Sequence, residues 1–201
     1  HGPTRKAELC NHGAWLATGD ILFFLDGDVL FTVPLVDVIE RIRASESQAV
    51  KPCRHIVRLD KKNTILKLQG KPAAGGEIVN LFGGGAFAVR KTVFAEIGGF
   101  DERFVGWGCE DVEIGHRIAE TCGYEEFTDI RGIHLWHPAP KRGKGPEYAA
   151  NLKMYNKARE EWAHRNDKPA PPVAAPGVTV EINDVAVSEP GLLTVACVCR
   201  T

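Results

Sequence analysis

The sequence lacks the features that would mark a membrane, nucleic-acid-binding or zinc-ribbon protein. No apolar stretch is long enough to span a bilayer. No signal-peptide pattern opens it, so a cytoplasmic protein is expected, peripheral at a membrane only through parts outside this chain. Charge of one sign is also missing: 25 Lys and Arg stand against 26 Asp and Glu, a formal net charge of -1. With no basic stripe, neither nucleic acid nor an anionic membrane is the implied partner. The six cysteines form no C-x-x-C pair, which removes the common zinc spacings. Scattered thiols in a chain of this size point to reduced, buried cysteines rather than a disulfide framework. Cys197 and Cys199 alternate in an apolar run and suit one strand face. No internal repeat is evident.

What remains is a chain of 201 residues, enough for one full core, or for one domain and a fragment of another. Arg5 to Thr18 carries apolar residues without Pro and reads as a helix ending at Gly19. The run Ile21-Leu22-Phe23-Phe24-Leu25 reads as a strand buried on both faces. Pro34 opens a second helix, reaching about Ala44. Ala49 to Leu68 alternates apolar and polar residues around Lys61-Lys62-Asn63, which predicts a β-hairpin. Lys71 to Gly85 is a Gly-rich, flexible stretch, followed by a strand at Ala86–Val89 and a short helix over Lys91–Ile97. Further helices are expected over Cys109–Cys122 and Glu147–His164. A Pro/Ala-rich linker spans 168–177, and strands are expected at Val178–Val187 and Leu192–Val198.

Three clusters carry chemistry. Asp26-Gly27-Asp28 ends the first strand, where open α/β sheets bind ligands. Two carboxylates one residue apart suit a hard divalent cation, although a polar Asp-Gly-Asp turn is also a common way to leave a strand. Trp107-Gly108-Cys109-Glu110-Asp111 opens a helix. Acids in a first turn serve the helix dipole; the neighbouring Trp and Gly fit a sugar ring, with the indole on its C–H face. A carboxylate there can act as general base toward a hydroxyl. The third cluster is His134-Leu135-Trp136-His137-Pro138. Two His three apart face opposite sides of an extended strand, so one ligand is expected unless the segment turns before Pro138. Imidazole joined to carboxylate favours Mn²⁺ over Mg²⁺ or Ca²⁺.

In order along the chain stand Asn11-x-Gly13, Leu25-Asp26-Gly27-Asp28, Gly84-Gly85-Ala86-Phe87-Ala88-Val89-Arg90, Gly98-Gly99-Phe100-Asp101-Glu102-Arg103-Phe104, Trp107-Gly108-Cys109-Glu110-Asp111 and His134-Leu135-Trp136-His137. This series resembles the GT-A-fold glycosyltransferases. It is closest to the family 2 enzymes and to the C-terminal segment shared by β-1,4-galactosyltransferases and polypeptide N-acetylgalactosaminyltransferases. The likeness covers about residues 1–140. Each motif is degenerate alone, but six in this order are specific.

The resemblance implies an α/β GT-A fold with a mixed, mostly parallel central sheet and flanking helices. It implies transfer of a sugar from a nucleotide-diphosphate donor, a UDP-sugar, to a saccharide or other hydroxyl acceptor with inversion, as in polysaccharide biosynthesis. Asp26-Gly27-Asp28 matches the D-x-D motif: Asp28 would bind Mn²⁺ (or Mg²⁺), and Asp26 would face the ribose or the metal shell. His137 would close the metal site, with His134 as a weaker ligand. Asp111 matches the base of the Glu110-Asp111 pair. Arg5, Asn11, Gly27, Gly84, Gly85 and Trp107 fall at donor- and acceptor-binding positions. Lys141, Arg142 and Lys144 would fold over the phosphates. Cys109 stands where the family more often has Gly, and a local packing effect is expected.

Against the family layout, the nucleotide-binding half precedes the matched segment and is missing from this chain. Residues 1–167 then read as the C-terminal part of a GT-A catalytic domain, 168–177 as a linker, and 178–201 as a β segment that could open a second GT-A domain. Three arrangements compete: a fragment of a tandem transferase, a piece of a larger protein, or a C-terminal strand folded back in place of the missing first strand. The rival function is a truncated, non-catalytic remnant that binds a saccharide or a partner. A metal-dependent hydrolase is weaker, since nothing supplies a second metal site or a nucleophile motif.

Overall fold

A computed structural model describes residues 5–73, 76–79, 84–138, 146–163 and 194–198. Helix α1 (Lys6–Leu16) leads into strand β1 (Ile21–Asp26), as the sequence predicts. After the turn at Gly27-Asp28 come strand β2 (Val29–Phe31) and helix α2 (Leu35–Ala44). Strands β3 (Ala49–Lys51) and β4 (His55–Arg58) are followed by helix α3 (Lys61–Leu68). Then come β5 (Glu77–Val79), β6 (Ala86–Arg90), α4 (Lys91–Glu96), α5 (Glu110–Cys122), β7 (Glu125–Glu126) and β8 (Arg131–His134). Helix α6 (Pro146–Ala163) and strand β9 (Thr194–Val198) complete the described elements.

The strands form two sheets, in the orders β7-β3-β6-β1-β9 and β2-β8-β4-β5. Both are mixed. β1 runs antiparallel to β6 and parallel to β9, and β8 runs antiparallel to β2 and parallel to β4. The α/β class is as expected, but parallel pairings are no majority, because β6 runs against both β1 and β3, and β5 runs against β4. The region 49–68 is not a hairpin. β3 and β4 belong to different sheets, and the supposed turn at Lys61-Lys62-Asn63 is the first turn of α3. Asp60 caps it, its Oδ1 accepting from the Asn63 N–H at 2.7 Å. A capped N-terminus leaves no reason for the chain to reverse there.

β1 is buried along its whole length and divides the core by strict alternation. Leu22 and Phe24 point to one face, where α1, α4 and α5 supply Cys10, Phe94, Ile114 and Ile118. Ile21, Phe23 and Leu25 point to the other, where α2 supplies Val38 and Ile42 and the second sheet supplies Val29 and Ile56. Phe24 sits at the centre of an aromatic group, with ring centroids 4.9 Å from Phe87 and 5.3 Å from both Phe94 and Phe100. β9 lies beside β1, with Leu22 opposite Thr194 and Asp26 opposite Val198.

Two helices shape the approach to the carboxyl end of β1. α5 is fixed by a buried pair: Arg117 donates to both Glu113 oxygens at 2.6 Å and to the Ile97 carbonyl at 2.7 Å. α6 holds the loop before α5, since buried Asn151 donates to the carbonyls of Val105 and Trp107. That loop ends on Cys109, whose φ of 74° puts a non-glycine residue in the left-handed region. Such a conformation carries a penalty that glycine avoids. Cys109→Gly is therefore expected to raise stability by up to about 1 kcal/mol, a gain in Tm of about 2–4 °C in a thermal melt.

No helix among the described residues is long and apolar enough to cross a membrane. Gly83, Lys141, Arg142 and Lys144, the linker 168–177 and the strand expected over Val178–Val187 lie outside the described residues.

Candidate metal centre

Strand register alone brings the sequence's acids and histidines together. Val29 of β2 pairs with His134 of β8, so the preceding turn residue Asp28 lies beside the chain leaving β8. The Leu135 N–H donates to the Asp28 carbonyl at 2.8 Å and fixes that approach. β8 stops at His134, and residues 135–138 belong to no strand or helix. Both imidazoles then reach one carboxylate: His137 Nε2 lies 3.2 Å from Asp28 Oδ2, and His134 Nε2 lies 3.7 Å from Oδ1. The opposed geometry expected of an extended strand is not observed: the two imidazole rings have their centroids 5.3 Å apart. The Trp136 N–H donates to Thr64 Oγ1 of α3 at 2.8 Å, which anchors the segment between the two histidines.

The other ring nitrogens decide what this cluster wants. His134 Nδ1 lies 2.8 Å from the Leu135 carbonyl, and His137 Nδ1 lies 3.0 Å from the Pro138 carbonyl. A carbonyl accepts only, so in each neutral ring the proton sits on Nδ1 and the Nε2 lone pair faces Asp28. Burial lowers the His134 pKa below its usual value, against the pull of Asp28, and so favours that neutral form. Asp28 Oδ1 is buried with no hydrogen-bond partner among the described residues. Two lone pairs and a carboxylate facing one another repel unless a cation lies among them. One ligand atom from each of Asp28, His134 and His137 lies within 4.8 Å of the others, a donor set that fits a borderline divalent ion such as Mn²⁺.

Asp26 goes elsewhere. Its Oδ1 accepts from Lys6 Nζ at 2.8 Å, and its backbone N–H donates to the Gly85 carbonyl. Gly85 has φ +82°, and an added Cβ would meet Ile56 at 2.7 Å, so only glycine fits there. Lys6 also lies 3.7 Å from Glu110 Oε1, the first residue of α5. Burial opposes its charge, but Asp26, Asp111 and Glu110 outweigh that penalty and raise the Lys6 pKa. Lys6, Cys10, Asp26, Gly85, Phe100 and Asp111 line a narrow cleft. Asp111 is half-buried at its mouth, one oxygen accepting from the Val112 N–H. Periodicity gave no hint of Lys6.

The remaining predicted residues divide plainly. Trp107 is half-buried, its ring 5.5 Å from that of Tyr148. Gly84 is half-buried beside Gly85, and Gly27 is exposed in the turn after β1. Asn11 is buried and bonds the Phe100 N–H and carbonyl and the Glu102 carboxylate, a role in holding α1 to the chain after α4. Arg5 is exposed and pairs with Glu8.

Residues 76–137, from β5 through both histidines, match the family model described as the N-terminal domain of galactosyltransferase. This stretch resembles a glycosyltransferase segment. Chondroitin sulfate N-acetylgalactosaminyltransferase 1 of Mus musculus is 26% identical over 162 residues, covering 75% of this chain and 30% of that protein. Polypeptide N-acetylgalactosaminyltransferase 4 of Mus musculus is 30% identical over 180 residues, with the same shares. A crystal structure of GalNAc-T7 with UDP, GalNAc and Mn2+ aligns with TM-score 0.48 and 16% identity, over 78% of this chain and 36% of that one. The chain spans about 30% of the length of the curated relatives it matches.

Proposed function

We propose that this chain supplies the metal and acceptor side of a glycosyltransferase that moves a sugar from a nucleoside diphosphate to a hydroxyl group with inversion. The observation that carries the reading is the convergence of the Asp28 carboxylate with the Nε2 atoms of His134 and His137, the two histidines lying in the stretch that matches the family model. Asp28, His134 and His137 would hold a divalent ion, Mn²⁺ or Mg²⁺, which when bound would supply positive charge to a diphosphate leaving group. Asp111, on the cleft beyond β1, takes the proton of the acceptor hydroxyl on its second oxygen. The Trp107 indole, steadied by Tyr148, offers a flat apolar surface to a sugar ring. UDP is the nucleotide to test, and the names of the relatives make N-acetylgalactosamine the first donor sugar to test.

A thermal-shift titration with Mn²⁺ and UDP tests the reading. Stabilisation by the pair beyond that by either alone supports it. No metal-dependent stabilisation by any nucleotide favours the non-catalytic, saccharide-binding alternative. Asp111→Asn is expected to reduce kcat about 10²–10⁴-fold while leaving the Mn²⁺–UDP shift intact. Full activity in Asp111→Asn would move the base elsewhere.

A further inference from the structure

Lys6 is an unexpected residue to find where it lies. It is the first residue of α1, where the helix dipole disfavours a cation, and it is only 8% exposed. A buried ammonium needs carboxylates within contact distance. Lys6 takes two, and they come from both acidic motifs: Asp26 at the end of β1 and Glu110 at the start of α5. Asp26 is 8% exposed and Glu110 is 6% exposed, so neither acid is free to turn toward solvent. The group of candidate metal ligands among the described residues holds Asp28 but not Asp26. A divalent ion drawn to Asp26 would sit against an ammonium, a like-charge contact in a poorly screened place.

We propose that Lys6 is a positioning residue: its ammonium takes Asp26 as counter-ion, withholds it from the metal, and ties it to Glu110 at the head of the helix that carries Asp111. This rests on the transferase reading for its consequence, but not for its geometry. The two Asp of Asp26-Gly27-Asp28 then have separate work. Asp28 holds the ion with the histidines, and Asp26 joins the metal centre to the acidic helix through Lys6.

The test uses the purified chain and Mn²⁺ alone, titrated calorimetrically, with melts of the metal-free protein alongside. Asp28→Asn is expected to weaken Mn²⁺ by about 100-fold or more, and Asp26→Asn by less than about threefold. Lys6→Met removes a neighbouring cation and releases Asp26, so Mn²⁺ should bind about five- to tenfold more tightly. The double variant Lys6→Met/Asp26→Asn should lose that gain. A lysine that merely fills space would leave Mn²⁺ affinity where it was. In the melts, Lys6→Met should lower Tm by about 6 °C or more, with part of the loss recovered in the double variant and most of it in Lys6→Arg. The proposal is overturned if Asp26→Asn weakens Mn²⁺ as much as Asp28→Asn, if Lys6→Met leaves Mn²⁺ affinity unchanged or lower, or if the two Tm losses simply add. Should the wild-type chain bind no Mn²⁺, the transferase reading fails, and the melts still decide whether Lys6 holds Asp26.

Discussion

Asp28→Asn should abolish stabilisation by Mn²⁺ while leaving the metal-free protein close to its original Tm. The wild-type chain at a metal concentration 100 times Kd gains about 2.7 kcal/mol, which raises Tm by roughly 5–11 °C. The variant keeps the shape of the side chain but loses the charge that draws a cation between the two imidazoles. In the metal-free state that charge brings little benefit. Asp28 Oδ1 is buried without a hydrogen-bond partner among the described residues, and the Nε2 lone pairs of both histidines face the carboxylate. An amide in its place can donate to one of them, so the metal-free fold need not suffer. The measurement is a pair of melts, with and without Mn²⁺. A large Mn²⁺ shift surviving in Asp28→Asn would remove the carboxylate from the site.

The second large effect concerns stability alone. Arg117→Met should destabilise the protein by about 3–5 kcal/mol, lowering Tm by about 6–20 °C. Arg117 and Glu113 are both nearly inaccessible, and their bidentate contact leaves Glu113 buried and uncompensated once the guanidinium is gone. The same change frees the Ile97 carbonyl that Arg117 caps after α4. Glu113→Leu combined with Arg117→Met should recover much of the loss, because a buried apolar pair leaves no charge unsatisfied. Urea unfolding of the two variants checks it. If the double variant is no more stable than the single one, the cost lies in lost packing rather than in the stranded carboxylate.

Much of this architecture is legible in the residues themselves. β1 announces itself because five consecutive apolar residues, ended by a polar turn, can be buried on both faces. α2 and α5 show their apolar residues at helical spacing, with Val38 and Ile42 on one and Ile114 and Ile118 on the other. The stretch from His55 to Leu68 misleads because its alternation fits a strand throughout, while the signal that ends the strand is one side chain, the Asp60 cap, three residues before Asn63. The metal cluster was half visible. Asp28 and His137 are named by motif order, but whether His134 joins them depends on where β8 ends, and a strand's end is set by its partners in the sheet. The part played by Lys6 was not visible at all. A single lysine at a helix start carries no periodic signal, and its meaning comes from two acids, 20 and 104 positions away, that only the fold brings to it.

The pairing of β1 with β9 has a consequence for how the chain is made. Leu22 meets Thr194, so 172 positions of sequence (194 − 22) separate the one partner from the other. At about 5–20 residues per second, β1 emerges on the order of ten seconds or more before β9 exists. Among the described strands β6 comes before β9 and pairs along one side of β1, and β9 takes the other side of a strand made mainly of Ile, Leu and Phe. Such an edge is a template for any other extended chain. Until β9 takes its side, the most apolar of the described strands keeps one edge for a partner from the far end of the chain, and that edge is an adhesive one.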